Sequence, residues 1–181
     1  MQRAIFKTIY TAILVTLITG CSTEAIKPVS GPEAAAAYGH ITMPVGTISN
    51  VMLYKVGEVY TPPFKSPPRS HAYPNGNYFF ENLEPGQYFL LGFMSRQEAF
   101  YFNYQGNDDA KFLREFTFDV KPGSVTYLGS FEVTGMDQNF LRTDSFDIKR
   151  SKTPTKSTIL KQLIEATKGS GWDAVFEKVL K

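Results

Sequence analysis

The stretch Gly76-Asn77-Tyr78-Phe79-Phe80-Glu81-Asn82-Leu83-Glu84-Pro85-Gly86-Gln87-Tyr88 decides how the chain is expected to fold. Side chains alternate across a strand, so Tyr78 and Phe80 share one face. Pro85 presets φ at the second position of a turn and Gly86 supplies the third, which predicts a type II turn reversing the chain into the next strand. Lys121-Pro122-Gly123-Ser124 repeats the device. Short apolar runs separated by turn residues continue on both sides, the pattern of an all-β domain. The predicted strands are Tyr38–Met43, Ile48–Val56, Asn77–Leu83, Gln87–Ser95, Ala99–Tyr104, Lys111–Val120, Ser124–Val133 and Phe140–Ile148.

Two strands show their faces clearly. Strict alternation puts Val125, Tyr127, Phe131 and Val133 on one face, with Gly129 marking a bulge or a close backbone approach. Phe112, Phe116, Phe118 and Val120 oppose Glu115, Thr117 and Asp119. Most of the fifteen Phe are therefore expected in the core. Between the second and third strands, Thr61 to Asn75 carries Pro62, Pro63, Pro67, Pro68 and Pro74 with Lys65 and Arg69. Paired prolines forbid a central strand there. The loop reads as a stiff crossover over the sandwich edge, with a partner-binding loop as the alternative.

The residues Gly76, Tyr78, Phe80, Leu83, Pro85, Gly86 and Tyr88 match the Gly-x-Tyr-x-Phe-x-x-Leu-x-Pro-Gly-x-Tyr spacing of a known family. On that motif the chain resembles the carboxypeptidase-regulatory-like, or transthyretin-like, β-sandwiches. The resemblance implies a mainly β, immunoglobulin-like (prealbumin-like) antiparallel β-sandwich over residues 38–148. Such modules are usually non-catalytic appendages, and the fold alone names no function. The run from Val120 to Gly129 looks like the closing hairpin of small bacterial lipoproteins of this fold.

The chain ends in helices. Thr153 or Thr155 can cap a helix whose Ile159, Leu160, Leu163 and Ile164 share a face and which Gly169 ends. Trp172, Val175, Phe176, Val179 and Leu180 give a second apolar stripe. Residues 149–181 thus form a helical hairpin. Its apolar faces are destined for the sandwich flank or for a partner protein or membrane surface, since a stripe of this size is rarely left exposed. This segment has eight Lys+Arg and three Asp+Glu, whereas Cys21 to Ile148 has nine and fourteen.

The chain begins with Arg3 and Lys7 followed by an apolar run from about Ile9 to Ile18. The run is too short to span a bilayer, which takes about 20 residues, and has the length of a secretory signal core. Leu17-Ile18-Thr19-Gly20-Cys21 closes it and resembles the lipobox of bacterial lipoproteins. The resemblance implies that residues 1–20 are a signal peptide and that Cys21 becomes the lipidated first residue. Ser22 after it favours the outer membrane if the host has one. Acyl chains on that cysteine give near-permanent anchoring, since one chain alone binds reversibly. Residues 21–37, with Pro28, Gly31 and Pro32, read as a flexible tether.

Without residues 1–20 the chain carries 17 basic and 17 acidic residues and is formally neutral, so there is no electrostatic footprint of nucleic-acid binding. Cys21 is the only cysteine, so no disulfide forms within the chain.

Candidate chemistry is sparse. His40 and His71 are the two histidines, and no metal-ligand or hydrolase spacing surrounds them. Ser70-His71 and Asp144-Ser145 are pairs without a third member. Asn107-Asp108-Asp109 lacks calcium-loop spacing and reads as a turn. No catalytic residue, metal or cofactor is expected. Tyr101 and Tyr104 are the candidate ligand contacts: Tyr101 is expected outward while Phe100 and Phe102 pack inward, and a flat aromatic on a sandwich face can stack a sugar ring or grip a peptide. The expected function is a membrane-anchored, non-enzymatic binding or structural accessory module of the cell envelope, with an envelope protein or glycan as partner. The alternatives are a carbohydrate- or peptide-binding module and, last, an envelope hydrolase.

Overall fold

The computed structural model describes residues 25–44, 46–61, 65–96, 98–102, 116–135 and 147–181. Its strands are β1 (Ala35–Thr42), β2 (Asn50–Lys55), β3 (His71–Ala72), β4 (Asn77–Leu83), β5 (Gly86–Ser95), β6 (Glu98–Tyr101), β7 (Thr117–Val120), β8 (Val125–Thr134) and β9 (Asp147–Ser151). Helices α1 (Lys156–Ala166) and α2 (Trp172–Leu180) follow. One sheet has the order β3-β4-β1-β8-β9; the other has β2-β5-β6, with β7 also on β5. The fold is a β-sandwich with a C-terminal helical hairpin. Described strand pairs are antiparallel except β1 with β8, which run parallel.

Alternation fills the space between the sheets. Ala35, Ala37, Ile41, Tyr78, Phe80 and Phe131 from one sheet meet Val51, Leu53, Leu90, Phe93 and Phe100 from the other. The intervening residues Ala36, Tyr38 and Phe79 turn to the opposite face, where Ile159, Leu160, Leu163, Trp172 and Phe176 of the helices bury them. The hairpin therefore docks on the five-stranded sheet, the first of its two expected destinations. Thr155 caps α1 by accepting from the Thr158 backbone N–H. Asp173 accepts from Gly169 N and Gly171 N and so holds the turn between the helices.

Four expectations are corrected. The single apolar face expected on β8 is split. Its register with β1 moves from Tyr38↔Tyr127 to Gly39↔Gly129, leaving Leu128 as an extra residue at the left-handed Gly129 (φ 125°). Val125 and Tyr127 consequently face the helices, while Phe131 and Val133 face the inter-sheet core. Gly39 is needed at the same place: a Cβ there would lie 2.5 Å from Tyr78 Oη and 2.7 Å from the Gly129 carbonyl.

Neither Pro-Gly turn makes a hairpin. β4 and β5 lie in different sheets, as do β7 and β8, so Pro85-Gly86 and Pro122-Gly123 each carry the chain across the sandwich. The last strand also differs from Phe140–Ile148, since β9 runs on to Ser151, and residues 136–146 lie outside the described ones.

The fourth correction concerns the tether expected over 21–37. β1 already begins at Ala35, and residues from Ile26 onward are fastened to the domain. Lys27 N donates to Glu81 Oε2 at 2.6 Å, Trp172 Nε1 donates to the Lys27 carbonyl at 3.0 Å, and Ser30 N donates to Asn82 Oδ1 at 2.9 Å. Asn82 Nδ2 returns a bond to the Pro28 carbonyl. Ile26, Val29 and Ala34 pack against the helix-side cluster. Low hydrophobicity suggested slack, but two aliphatic residues and a backbone clamp suffice to hold an extended segment.

Candidate functional site

The proline-rich loop builds the site. Leu53 N donates to the Pro68 carbonyl and Ser70 N to the Val51 carbonyl, so residues 68–70 add to the edge of β2. One residue later the chain joins the other sheet, with His71 opposite Phe79 and Ala72 opposite Tyr78. A strand that switches sheets at a corner is a known way to close a sandwich edge. Here the prolines sit where they spare the ladder: Pro68 contributes only its carbonyl, and Pro67 and Pro74 lie outside the paired residues.

Between this strap, the β4–β5 crossover and the docked N-terminal segment lies a groove of about 1040 Å³. Ala25, Ile26 and Lys27 form one lip. Lys65 and Arg69 of the loop, His71 of β3, Glu81 to Leu83 at the end of β4 with Glu84 after it, Lys55 at the end of β2, and Glu58 and Tyr60 beyond it line much of the rest.

Its electrostatics are mostly self-compensated. Lys55 Nζ meets Glu84 at 2.6 Å and Glu58 at 3.4 Å; Lys65 meets Glu58 at 2.6 Å. The hydrogen bond to Glu84 is the largest cause raising the Lys55 ammonium above its ordinary range, and the Glu58 contact adds to it. The bond from Lys65 is the largest cause holding Glu58 low. Glu81 Oε2 takes both the Lys27 N–H and, at 3.3 Å, His71 Nε2, so one carboxylate ties the N-terminal segment to the strap. Arg69 is exposed and has no ion pair among the described residues. Burial pushes the Tyr73 hydroxyl up to about 12, with the Glu81 charge adding to it. Tyr73 Oη and Asn50 Oδ1, both buried atoms of lining residues, have no hydrogen-bond partner among the described residues. The groove thus offers the exposed guanidinium of Arg69 to a polar or anionic visitor.

The residues singled out in the sequence fall in separate places. Tyr101 lies on β6 with 58% of its surface exposed, while Phe100 and Phe102 are buried as expected. Tyr104, Cys21, Asn107 to Asp109, and Asp144-Ser145 lie outside the described residues. His71 lines the groove, but His40 does not. His40 is buried between β1 and the helices, its Nδ1 2.9 Å from Asn77 Oδ1, and Asn77 Nδ2 donates on to Gln162 of α1. Burial holds its imidazole below the ordinary 6.5, offset in part by the Asn77 bond. Ser70 and His71 form no working pair: Ser70 Oγ accepts from Val51 N at 2.8 Å, while His71 turns to Glu81 and stacks on Phe79. Among the described residues no three His, Cys, Asp or Glu side chains cluster as a metal site, and no helix is long and apolar enough to cross a membrane.

Sequence reasoning missed the N-terminal lip and Glu81. The available signals were Ile26 and Val29, spaced three apart around Pro28, and an acid at an outward position of β4.

No family model matches the chain, and no curated protein matches it. The solved structures include a DUF3823 family protein from Parabacteroides merdae, similar at 15% identity over 69% of this chain with a TM-score of 0.29. The match spans 60% of that protein's own chain.

Proposed function

We propose that this protein is a lipid-anchored, non-enzymatic binding or structural accessory module of the bacterial cell envelope, of the carboxypeptidase-regulatory-like sandwich type. The lipobox resemblance of Leu17-Ile18-Thr19-Gly20-Cys21, behind a basic start and a short apolar run, carries the reading. The Gly76 to Tyr88 spacing supports the sandwich type. Two accessible features supply surfaces for a partner, the groove beneath the proline strap and the exposed ring of Tyr101. Expression with labelled palmitate tests the anchor. The wild type is expected to incorporate label and sediment with membranes, whereas Cys21→Ala accumulates as an uncleaved, unlabelled precursor. Normal maturation of Cys21→Ala overturns the address. Turnover of any envelope substrate that disappears in His71→Ala overturns the non-enzymatic part.

A second reading has its own support. Tyr101 is a large, flat, solvent-facing ring on a sheet edge, suited to stacking a sugar or a peptide.

A further inference from the structure

The anchor and the groove are joined by very little chain. Ala25 forms part of the groove's lip, and only residues 22–24 separate it from Cys21. Even fully extended, that connection reaches about 14 Å. The residues after Ala25 add no slack, because Lys27 is clamped through its N–H to Glu81 and through its carbonyl to Trp172. An anchor at Cys21 therefore pins the lip itself close to the lipid headgroups.

What surrounds the lip suits that neighbour. Arg69 stands exposed without an ion pair among the described residues, and Lys65, exposed in the same loop, is held by Glu58 at 2.6 Å. Val59 is 76% exposed and Val56 49%, flanking the lining residue Glu58. Exposed aliphatics next to cations are the usual composition of a surface lying at the headgroup layer.

The opposite edge is built otherwise. β9 is four strands from β3, which at ordinary spacing is about 19 Å. β6, with Tyr101, lies across β5 from the β2 edge to which the strap is bonded.

We infer that the short link holds the strapped edge of the sandwich, with the groove mouth, against a phospholipid surface and turns the β6/β9 edge with Tyr101 away from it. This rests on the lipidation of Cys21. The groove then meets headgroups or molecules lying at the bilayer surface, and Tyr101 meets what diffuses in the aqueous space.

The test uses the full lipidated protein in vesicles of phosphatidylethanolamine and phosphatidylglycerol carrying a trace of headgroup-nitroxide lipid. With Cys21 blocked by its lipid, an added cysteine takes a fluorophore at one site only, in Arg69→Cys, Val59→Cys or Lys149→Cys. Quenching at positions 69 and 59 is expected to exceed that at 149 several-fold. A Gly/Ser spacer of about 20 residues inserted after Ser22, with an r.m.s. reach of about 25 Å, is expected to erase the difference. Equal quenching at the three positions, or a bias that survives the spacer, overturns the inference. The intact mass of each sample reports the lipid independently, so absence of the acyl mass overturns the anchor reading beneath it instead.

Discussion

The two sheets of this sandwich begin with similar means and meet different fates on their outer faces. The five-stranded sheet presents Tyr38, Phe79 and Tyr127 outward, and the helical hairpin closes over them. Phe79 lies 5.6 Å from Phe176 at 89° and 6.4 Å from Trp172, and Tyr38 lies 6.1 Å from Phe176. The four-stranded sheet pairs Tyr54 with Phe89 at 5.0 Å, nearly parallel, and sets Tyr60 edge-on to Tyr54. Those rings stay half-buried, and Tyr101 further along stays exposed. Aromatic content does not decide which face is covered. Two amphipathic helices at the end of the chain, 11 and 9 residues long, do.

The comparison breaks most visibly at Trp172, which is fully buried and whose indole also clamps the N-terminal segment. Trp172→Ala is expected to cost about 3–5 kcal/mol, the range for removing a large buried ring. Phe89→Ala on the other sheet is expected to cost about 1–1.5 kcal/mol, because only part of that ring leaves water on folding. Urea unfolding of the two variants measures both. Equal losses would mean that the outer face of the four-stranded sheet is covered as thoroughly as the helix-bound one.

These differences also mark what was legible in the sequence. Period-two alternation correctly put Tyr78 and Phe80 on one face, which the fold turns into the inter-sheet core, and the i, i+3, i+4 stripes correctly found both helices. Local pattern failed where a non-local partner decides. Pro85-Gly86 fixes a change of direction, yet whether the next strand pairs with the last or crosses to another sheet depends on β1 and β2 competing for those edges. Leu128 illustrates the same limit on a smaller scale: Gly129 signalled a bulge, but only the parallel register with β1 shows that the bulge exchanges the faces of Tyr127 and Phe131. The groove was the least legible feature, because it is assembled from the strap, the crossover and the N-terminal segment, none of which carries a periodic pattern.

A smaller effect separates the sheets by pH. His40 sits under the helices with its imidazole held low by burial, so the native state keeps it neutral where the unfolded chain takes up a proton. Its folded value lies below the unfolded one, so its contribution to stability is complete above about 6.5 and is lost as pH falls through the folded value. Wild-type protein is therefore expected to lose more stability between neutral and mildly acidic pH than His40→Gln, in chemical unfolding at each pH. Parallel curves for the two proteins would show that the helix-covered face does not keep His40 neutral.

The smallest expected effect on stability is at Tyr101, and there the comparison becomes a question about function. A ring with 58% of its surface exposed has little burial to lose, so Tyr101→Ala is expected to change unfolding free energy by no more than about 0.5 kcal/mol. A residue kept for packing is expected to cost more, as predicted for Phe89. If the uncovered sheet serves a ligand, the same substitution removes stacking area without disturbing the fold, so glycan-array or peptide binding falls while the unfolding curve stays in place. Binding unchanged in Tyr101→Ala removes this residue from the ligand reading and leaves the groove as the accessible surface to be tested. Loss of binding with intact stability gives the sandwich two working edges, one at the lipid and one facing away.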